Sequence, residues 1–172
     1  MKPEPSPLDA ILQDRQGGGG VISPLDEEGA ELVIFQIDQD LYACGGASVR
    51  EILSQVEIFF VPGCMASMEG VINVRGDIET VINLSDTLGP KAGGYAASWA
   101  ILLGRAGGMQ SGIRVDKVVD VLVVPKSAIQ QAPATLPARL QAAVSGVMRY
   151  RELPVTVLSL ERIFEACGRS LA

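Results

Sequence analysis

"GVINVRGDIETVINL" occupies Gly70–Leu84, and "GVMRYRELPVTVLSL" occupies Gly146–Leu160, seventy-six positions further on. Overlaid without a gap, the two stretches keep Gly, Val, Arg, Thr, Val and Leu in register. Each reads as two short β-branched runs around a turn. The neighbourhood repeats as well. Before the first copy, "ELVIFQI" and "LYAC" flank "DQD", a hairpin with an acidic turn, and "SVREIL" follows. Before the second, "WAILLG" and "SGIRVDKVVDVLVVP" give strands around a Gly-rich hairpin loop, "RAGGMQSG". Short strands at regular spacing, broken by turn residues, point to small β-barrels rather than a parallel sheet. Two copies of one unit point to a duplication. The ungapped repeat predicts one barrel over residues 31–90 and a second over about 97–167, superposing with Gly70 on Gly146.

Between these strands, "VEIFFVPG" reads as a strand closed by Pro-Gly, and "MASMEG" as a helical turn. "SDTLG" reads as a short helix capped by Ser85. The connection "KSAIQQAPATLPARLQAAVS" carries some helix, and "LERIFEACG" closes the chain as a helix. Residues 1–29 differ in kind. They hold "PEPSP", four consecutive glycines at Gly17–Gly20 and "SPLDEEG", a composition that favours a flexible leader. Six acids and two bases give this leader a net charge of −4, against −2 for the rest of the chain. The folded part is therefore nearly neutral. Within the leader, "LDAILQD" has the spacing of one or two amphipathic turns.

Composition narrows the function. The chain has 172 residues, 48% of them apolar, a net charge of −6 and a pI near 4.7. Such a chain has no electrostatic reason to bind nucleic acid or an anionic membrane. No apolar run reaches the roughly 18–20 residues of a membrane span, and the N-terminus lacks signal-peptide character. Histidine is absent. That removes Ser-His-Asp and Cys-His catalysis, His-based metal ligation and a phosphoacceptor histidine. Cys44, Cys64 and Cys167 are far apart and odd in number, which supports neither a disulfide framework nor a zinc site. No phosphate-cradling glycine motif and no calcium-loop spacing occurs. The residues therefore point to no cofactor, no metal and no catalytic group.

Charged residues follow the repeat. Glu51 precedes Arg75 by 24 residues, and Asp120 precedes Arg151 by 31. An arginine beside a carboxylate is readily held by a bidentate ion pair. An acid–arginine clasp is accordingly expected between Glu51 and Arg75, with a second-half counterpart between Asp120 and Arg151.

At Val49-Arg50-Glu51-Ile52 and Gly70-Val71-Ile72-Asn73-Val74-Arg75-Gly76 the sequence resembles the CheW family of chemotaxis adaptors, which carry V-x-E-I and G-V-x-N-x-R-G segments. "GIRVDKVVDVL" is similar to the family's second-half signature, and "VSGVMRYRELPVTVLSLERIF" to its closing segment. The resemblance spans about Glu31 to Ala166 within a CheW-like domain at 30–168. It implies an all-β fold of two five-stranded SH3-like barrels on a shared apolar core, with short helices. It also implies a non-catalytic adaptor that binds the regulatory domain of a CheA-type histidine kinase and the cytoplasmic tip of methyl-accepting chemotaxis receptors. Such a protein sits in the cytoplasm at receptor arrays beneath the inner membrane, without inserting into it. Carried over by position, Glu51 and Arg75 match the paired acid and arginine near the receptor groove. Val49, Ile52, Val71 and Asn73 match its neighbours. The kinase contact falls on exposed barrel ends. Two departures stand out: Met65 occupies a position where the family often has proline, and Thr80-Val81-Ile82-Asn83-Leu84 replaces P-x-V-D-L. The alternatives are an adaptor of a surface-motility or non-motility pathway, and a barrel that binds a small ligand.

Overall fold

A computed structural model describes residues 28–89 and 96–169. Among these residues the chain forms ten strands, three short α-helices and two single-turn 3-10 helices. The strands are β1 (Gly29–Ile37), β2 (Asp40–Gly45), β3 (Val49–Ser54), β4 (Met68–Val74), β5 (Asp77–Ile82), β6 (Ala100–Ala106), β7 (Met109–Val115), β8 (Lys117–Pro125), β9 (Val144–Tyr150) and β10 (Leu153–Leu158). The α-helices are α1 (Ser85–Leu88), α2 (Ala138–Gln141) and α3 (Leu160–Arg169). Two five-stranded sheets result, in the orders β8-β1-β2-β10-β9 and β3-β6-β7-β5-β4. The leader expected over 1–29 falls outside the described residues up to position 27. Gly29 already opens β1.

The sheets correct the expected boundaries at 31–90 and 97–167. β3 to β7 form one sheet from a continuous stretch, residues 49–115, inserted between β2 and β8 of the other. The repeat itself survives in another form. Strands β1 to β5 follow the same order of hairpin, strand, hairpin as β6 to β10. Each sheet, however, joins the opening hairpin of one half to the remaining strands of the other. β1–β2 pairs with β8 and β10, and β6–β7 pairs with β3 and β5.

Alternation along the strands explains the layering. In β1, Leu32 and Ile34 point into the first barrel, with Ala43, Val124, Met148, Val155 and Val157. Val33, Phe35 and Ile37 point the other way. In β6, Ile101 and Leu103 fill the second barrel with Ile72, Val74 and Val81, while Ala100 and Leu102 face outward. The outward sets meet in a shared core completed by Ile113, Val115, Leu158 and Ile163 and Phe164 of α3. A strand buried on both faces reads as a continuous apolar run, as "LVIF" and "AILL" do. Burying a side chain of this size contributes about 1.5–3 kcal/mol. The shared core therefore ties the barrels into one unit.

The repeated residues of the opening stretches occupy matched places. Gly70 and Gly146 are where a connecting segment crosses a strand. A Cβ at Gly70 would lie 2.4 Å from the Phe59 carbonyl oxygen, and one at Gly146 2.7 Å from that of Gln130. Next to them, Val71 exchanges backbone hydrogen bonds with Phe59 and Val147 with Gln130, at 2.8–2.9 Å. Val81 and Val157 each fill a barrel, and Leu84 and Leu160 both enter the shared core. Arg75 and Arg151, at φ 52° and 47°, are the first residues of two-residue turns followed by Gly76 (φ 92°) and Glu152 (φ 66°). Positive φ at both positions is the type I′ turn that matches strand twist. The repeated arginine is thus a turn residue in both halves.

Some local expectations shift. "VEIFFVPG" contributes only an isolated bridge at Phe59, because the segment crosses β4 instead of running along a sheet. The end of "MASMEG" is strand, since Met68 begins β4. Ser85 is the first residue of α1 and not its cap; its N–H donates to Asn83 Oδ1 at 2.8 Å. In "RAGGMQSG" only Gly107 and Gly108 turn, and Met109 already starts β7.

Candidate partner-binding site

β3 carries the first part of the site. Its pairing with β6 skips Arg50 between Val49↔Gly104 and Glu51↔Leu103, a bulge that re-aims the following side chains. Glu51 thereby reaches the mouth of the second barrel and receives both arms of Arg75. Nη1 donates to Oε1 at 2.9 Å and Nη2 to Oε2 at 2.6 Å. The hydrogen bond from Arg75 holds the Glu51 carboxyl below its ordinary range and raises the guanidinium further. Arg75 remains 73% exposed while Glu51 is 31% exposed. The carboxylate is the anchor, and the arginine projects from it. Beside the pair, Arg50 donates to Gln110 at 2.6 Å, and Gln110 in turn donates to Glu79. With Asp77, Val74 and Leu103 these residues line a polar cleft of ≈ 230 Å³.

A second cleft, of ≈ 260 Å³, lies between the barrels. Val49, Arg50, Glu51 and Ile52 of β3 form one wall, and Glu31 and Val33 of β1 with Val121 of β8 form the other. Val33 and Val121 are register partners and share a face; Glu31 and Val123 are the next pair on that face. Val33 and Val49 join the floor to the shared core. Ile52, Val121 and Val123 are 40%, 50% and 65% exposed at the rim. Glu51 borders both clefts, so the clasp stands where the polar mouth meets the apolar groove.

Of the six residues expected at the groove, Val49, Glu51 and Ile52 come together there, and Arg75 joins them through Glu51. Val71 and Asn73 line neither cleft. They lie on β4, at the far edge of the sheet from β3. Asn73 has a turn role instead, its Oδ1 accepting the Gly76 N–H at 2.8 Å.

The second clasp is not formed. Asp120 is nevertheless the structural counterpart of Glu51. β8 skips Val119 against β1 as β3 skips Arg50 against β6, and this sets Asp120 opposite Ile34. The difference lies at the strand end, where Tyr150 stands in place of Val74. Its hydroxyl donates to Asp120 Oδ2 at 2.7 Å, a bond that raises the Tyr150 pKa. Arg151 lies over the Tyr150 ring, 5.1 Å from its centroid. The aromatic hydroxyl takes the place of the guanidinium, and the arginine stacks on it.

The family model for the CheW-like domain matches residues 31–167. The chain belongs to the CheW-like family. It is 28% identical over 143 residues to the "Probable chemotaxis protein CheW" of Rhizobium etli, covering 83% of this chain and 92% of that one. It is 26% identical over 148 residues to the "Chemotaxis protein CheW" of Rhizobium meliloti, covering 86% and 96%. A crystal structure of the "scaffolding protein TtCheW" of Thermoanaerobacter tengcongensis superposes with a TM-score of 0.71 at 26% identity, covering 80% and 94%. The two five-stranded SH3-like barrels of the CheW fold are present here. CheW proteins are adaptors, and no helix among the described residues is long and apolar enough to cross a membrane.

The far wall of the groove, Val33 and Val121 with Val123 next to Val121 on the same strand face, was not anticipated from the sequence. A signal was present. "KVVDVLVVP" holds more apolar residues than one buried face requires, and half of β8 stays exposed at a sheet edge. An apolar excess on an edge strand marks a surface that something covers. The cysteines take no part. None is in a disulfide, and burial pushes the Cys44 thiol up to about 12.

Proposed function

We propose that this protein is a non-catalytic adaptor that couples the cytoplasmic tip of methyl-accepting chemotaxis receptors to the regulatory domain of a CheA-type histidine kinase, beneath the inner membrane. The observation that carries the proposal is the inter-barrel groove, with an apolar floor of Val33 and Val49, an exposed rim of Ile52, Val121 and Val123, and a guanidinium held outward at one end. Receptor tips are helical, and an apolar groove with a polar end receives one face of a helix. The orientation of Arg75, fixed by two hydrogen bonds that it donates to one carboxylate, gives that helix a register. Val71 and Asn73 contribute through the Arg75 turn and the neighbouring β4 surface. The kinase domain is assigned to exposed barrel ends away from this groove.

The small-ligand reading fares worse. Both barrel interiors are filled by their own side chains, so a ligand chamber would have to displace them. An adaptor of a surface-motility or non-motility pathway would use the same groove with a different receptor.

The test titrates wild type and Arg75→Ala against a receptor-tip fragment and, separately, against the kinase regulatory domain. The expected result is a folded variant with weakened receptor binding and unchanged kinase binding. Unaltered receptor affinity in a folded Arg75→Ala protein would leave Arg75 as a turn residue only.

A further inference from the structure

We propose that the groove has an occupant within the same chain: the apolar segment Leu8–Leu12 of the N-terminal leader, which docks between the barrels and competes with the partner helix. The identity of the competed partner rests on the adaptor reading; the docking itself does not. Two observations converge. The first is where the chain enters the fold. Gly29 pairs with Pro125 at the end of β8, and Glu28 is fastened to Lys126 by an ion pair of 2.7 Å. The Val123 side chain lies against Gly29 so closely that a Cβ there would sit 2.6 Å from Val123 Cγ1. The leader therefore joins the fold directly beside the exposed rim.

The second is what the leader carries. Leu8, Ile11 and Leu12 stand at the i, i+3, i+4 spacing of one helical face. That is the pattern expected of a peptide for an apolar groove. Between Leu12 and Glu28 lie fifteen residues, four of them consecutive glycines. A Gly-rich tether of this length has an end-to-end distance of about 20–24 Å. The rim from Val123 through Val121 to Ile52 lies within that reach, since residues on one strand face repeat every ~7 Å. A tether matched to its span gives an effective concentration on the order of millimolar. A segment too weak to bind as a free peptide then occupies the groove for a substantial fraction of the time. Charge adds little, because Arg50 lines the groove together with Glu31 and Glu51. Apolar match and tether geometry carry the inference.

The consequence is a built-in competitor whose removal tightens partner binding by about 2–10-fold, the factor set by effective concentration over intrinsic affinity. The experiment compares the full chain with the full chain carrying Leu8→Ser, Ile11→Ser and Leu12→Ser. Methyl NMR signals of Ile52, Val121 and Val123 are read against Leu153, which is exposed and lines neither cleft. The expected result is a shift of the three groove methyls, independent of protein concentration, with Leu153 unmoved. A receptor-tip fragment should bind the triple variant about 2–10-fold more tightly. Superimposable groove signals in the two proteins overturn the proposal. So do shifts that follow protein concentration instead of the substitutions, which assign the groove to a second copy of the chain. If the groove methyls shift but the receptor fragment binds neither form, the docking stands and the adaptor reading fails.

Discussion

Val121 and Val123 offer a sharp test of the groove because they are exposed enough to remove without unfolding the protein. Full burial of a side chain of this kind contributes about 1.5–3 kcal/mol. Val121 keeps 50% of its surface and Val123 65%. Covering what remains contributes about 0.75–1.5 kcal/mol at Val121 and about 1–2 kcal/mol at Val123. The double substitution Val121→Ser, Val123→Ser should therefore weaken binding of a helical receptor tip by about 1.75–3.5 kcal/mol, roughly 20- to 300-fold. The cost to folding is smaller. Both residues sit on β8 at the edge of its sheet, where the whole range of strand propensity spans about 1 kcal/mol. A fall in melting temperature of only a few degrees is expected for a chain of this size. Calorimetric titration with the receptor-tip fragment, beside a thermal melt followed by circular dichroism, reads both numbers. Affinity for the kinase regulatory domain should stay within about twofold. A folded double variant that binds the receptor fragment as well as wild type would refute the assignment of this face.

Three further outcomes follow from the geometry. Gly70→Ala and Gly146→Ala should each destabilise the fold by about 1–3 kcal/mol in chemical denaturation, because the new methyl meets a backbone carbonyl of the crossing segment. The two turns should respond with opposite signs: Gly76→Glu should cost about 1–2 kcal/mol, and Glu152→Gly should stabilise by about 0.5–1 kcal/mol, since both positions hold positive φ. The clasp should depend on acid. The Glu51 pKa is depressed in the fold by Arg75, so the pairing is fully present above the ordinary value of 4.5 and is lost as pH falls through the folded value. A carboxyl carbon titration of Glu51 should show a midpoint below 4.5 that returns to the ordinary range in Arg75→Ala. An unshifted midpoint in wild type would mean that the clasp does not persist in solution.

The sequence made some of this plain and hid the rest for physical reasons. Strands were legible wherever one face is buried, because alternation writes itself into the residues. β1 and β6, buried on both faces, showed as uninterrupted apolar runs. The Glu51–Arg75 pair could be anticipated because the acid–arginine layout of the repeat and the family resemblance both pointed to these residues. The missing second clasp could not. It depends on whether the strand before the turn ends in Val74 or Tyr150, and on a hydroxyl reaching an acid first. Nor did the repeated arginine announce itself as a turn residue. Arginine has no special preference for positive φ, and only the glycine after Arg75 carried that signal.

The largest misreading, the pairing of each half with itself, has a cause visible in four residues. In β1–β2 the pair two steps before the last is Phe35↔Tyr42, and in β6–β7 the equivalent pair is Gly104↔Ser111. Phe35 and Tyr42 stack with ring centroids 6.1 Å apart and fill the shared core from one side. On the other side, Gly104 leaves the space into which α3 packs. A Cβ there would lie 2.9 Å from Leu160 Cδ1 and 3.2 Å from Phe164 Cζ. The two hairpins repeat in backbone and differ in volume, one bringing its own aromatics and the other receiving Leu160 and Phe164 of the closing helix. Exchanging them between sheets would place large side chains against large and leave small against small, a mismatch that close-packed interiors do not tolerate. Similar sequence order therefore specifies similar strands, while unlike side-chain volumes decide which strands meet. The inter-barrel groove lies along the seam that this choice creates, with β3 of one half facing β1 and β8 across it.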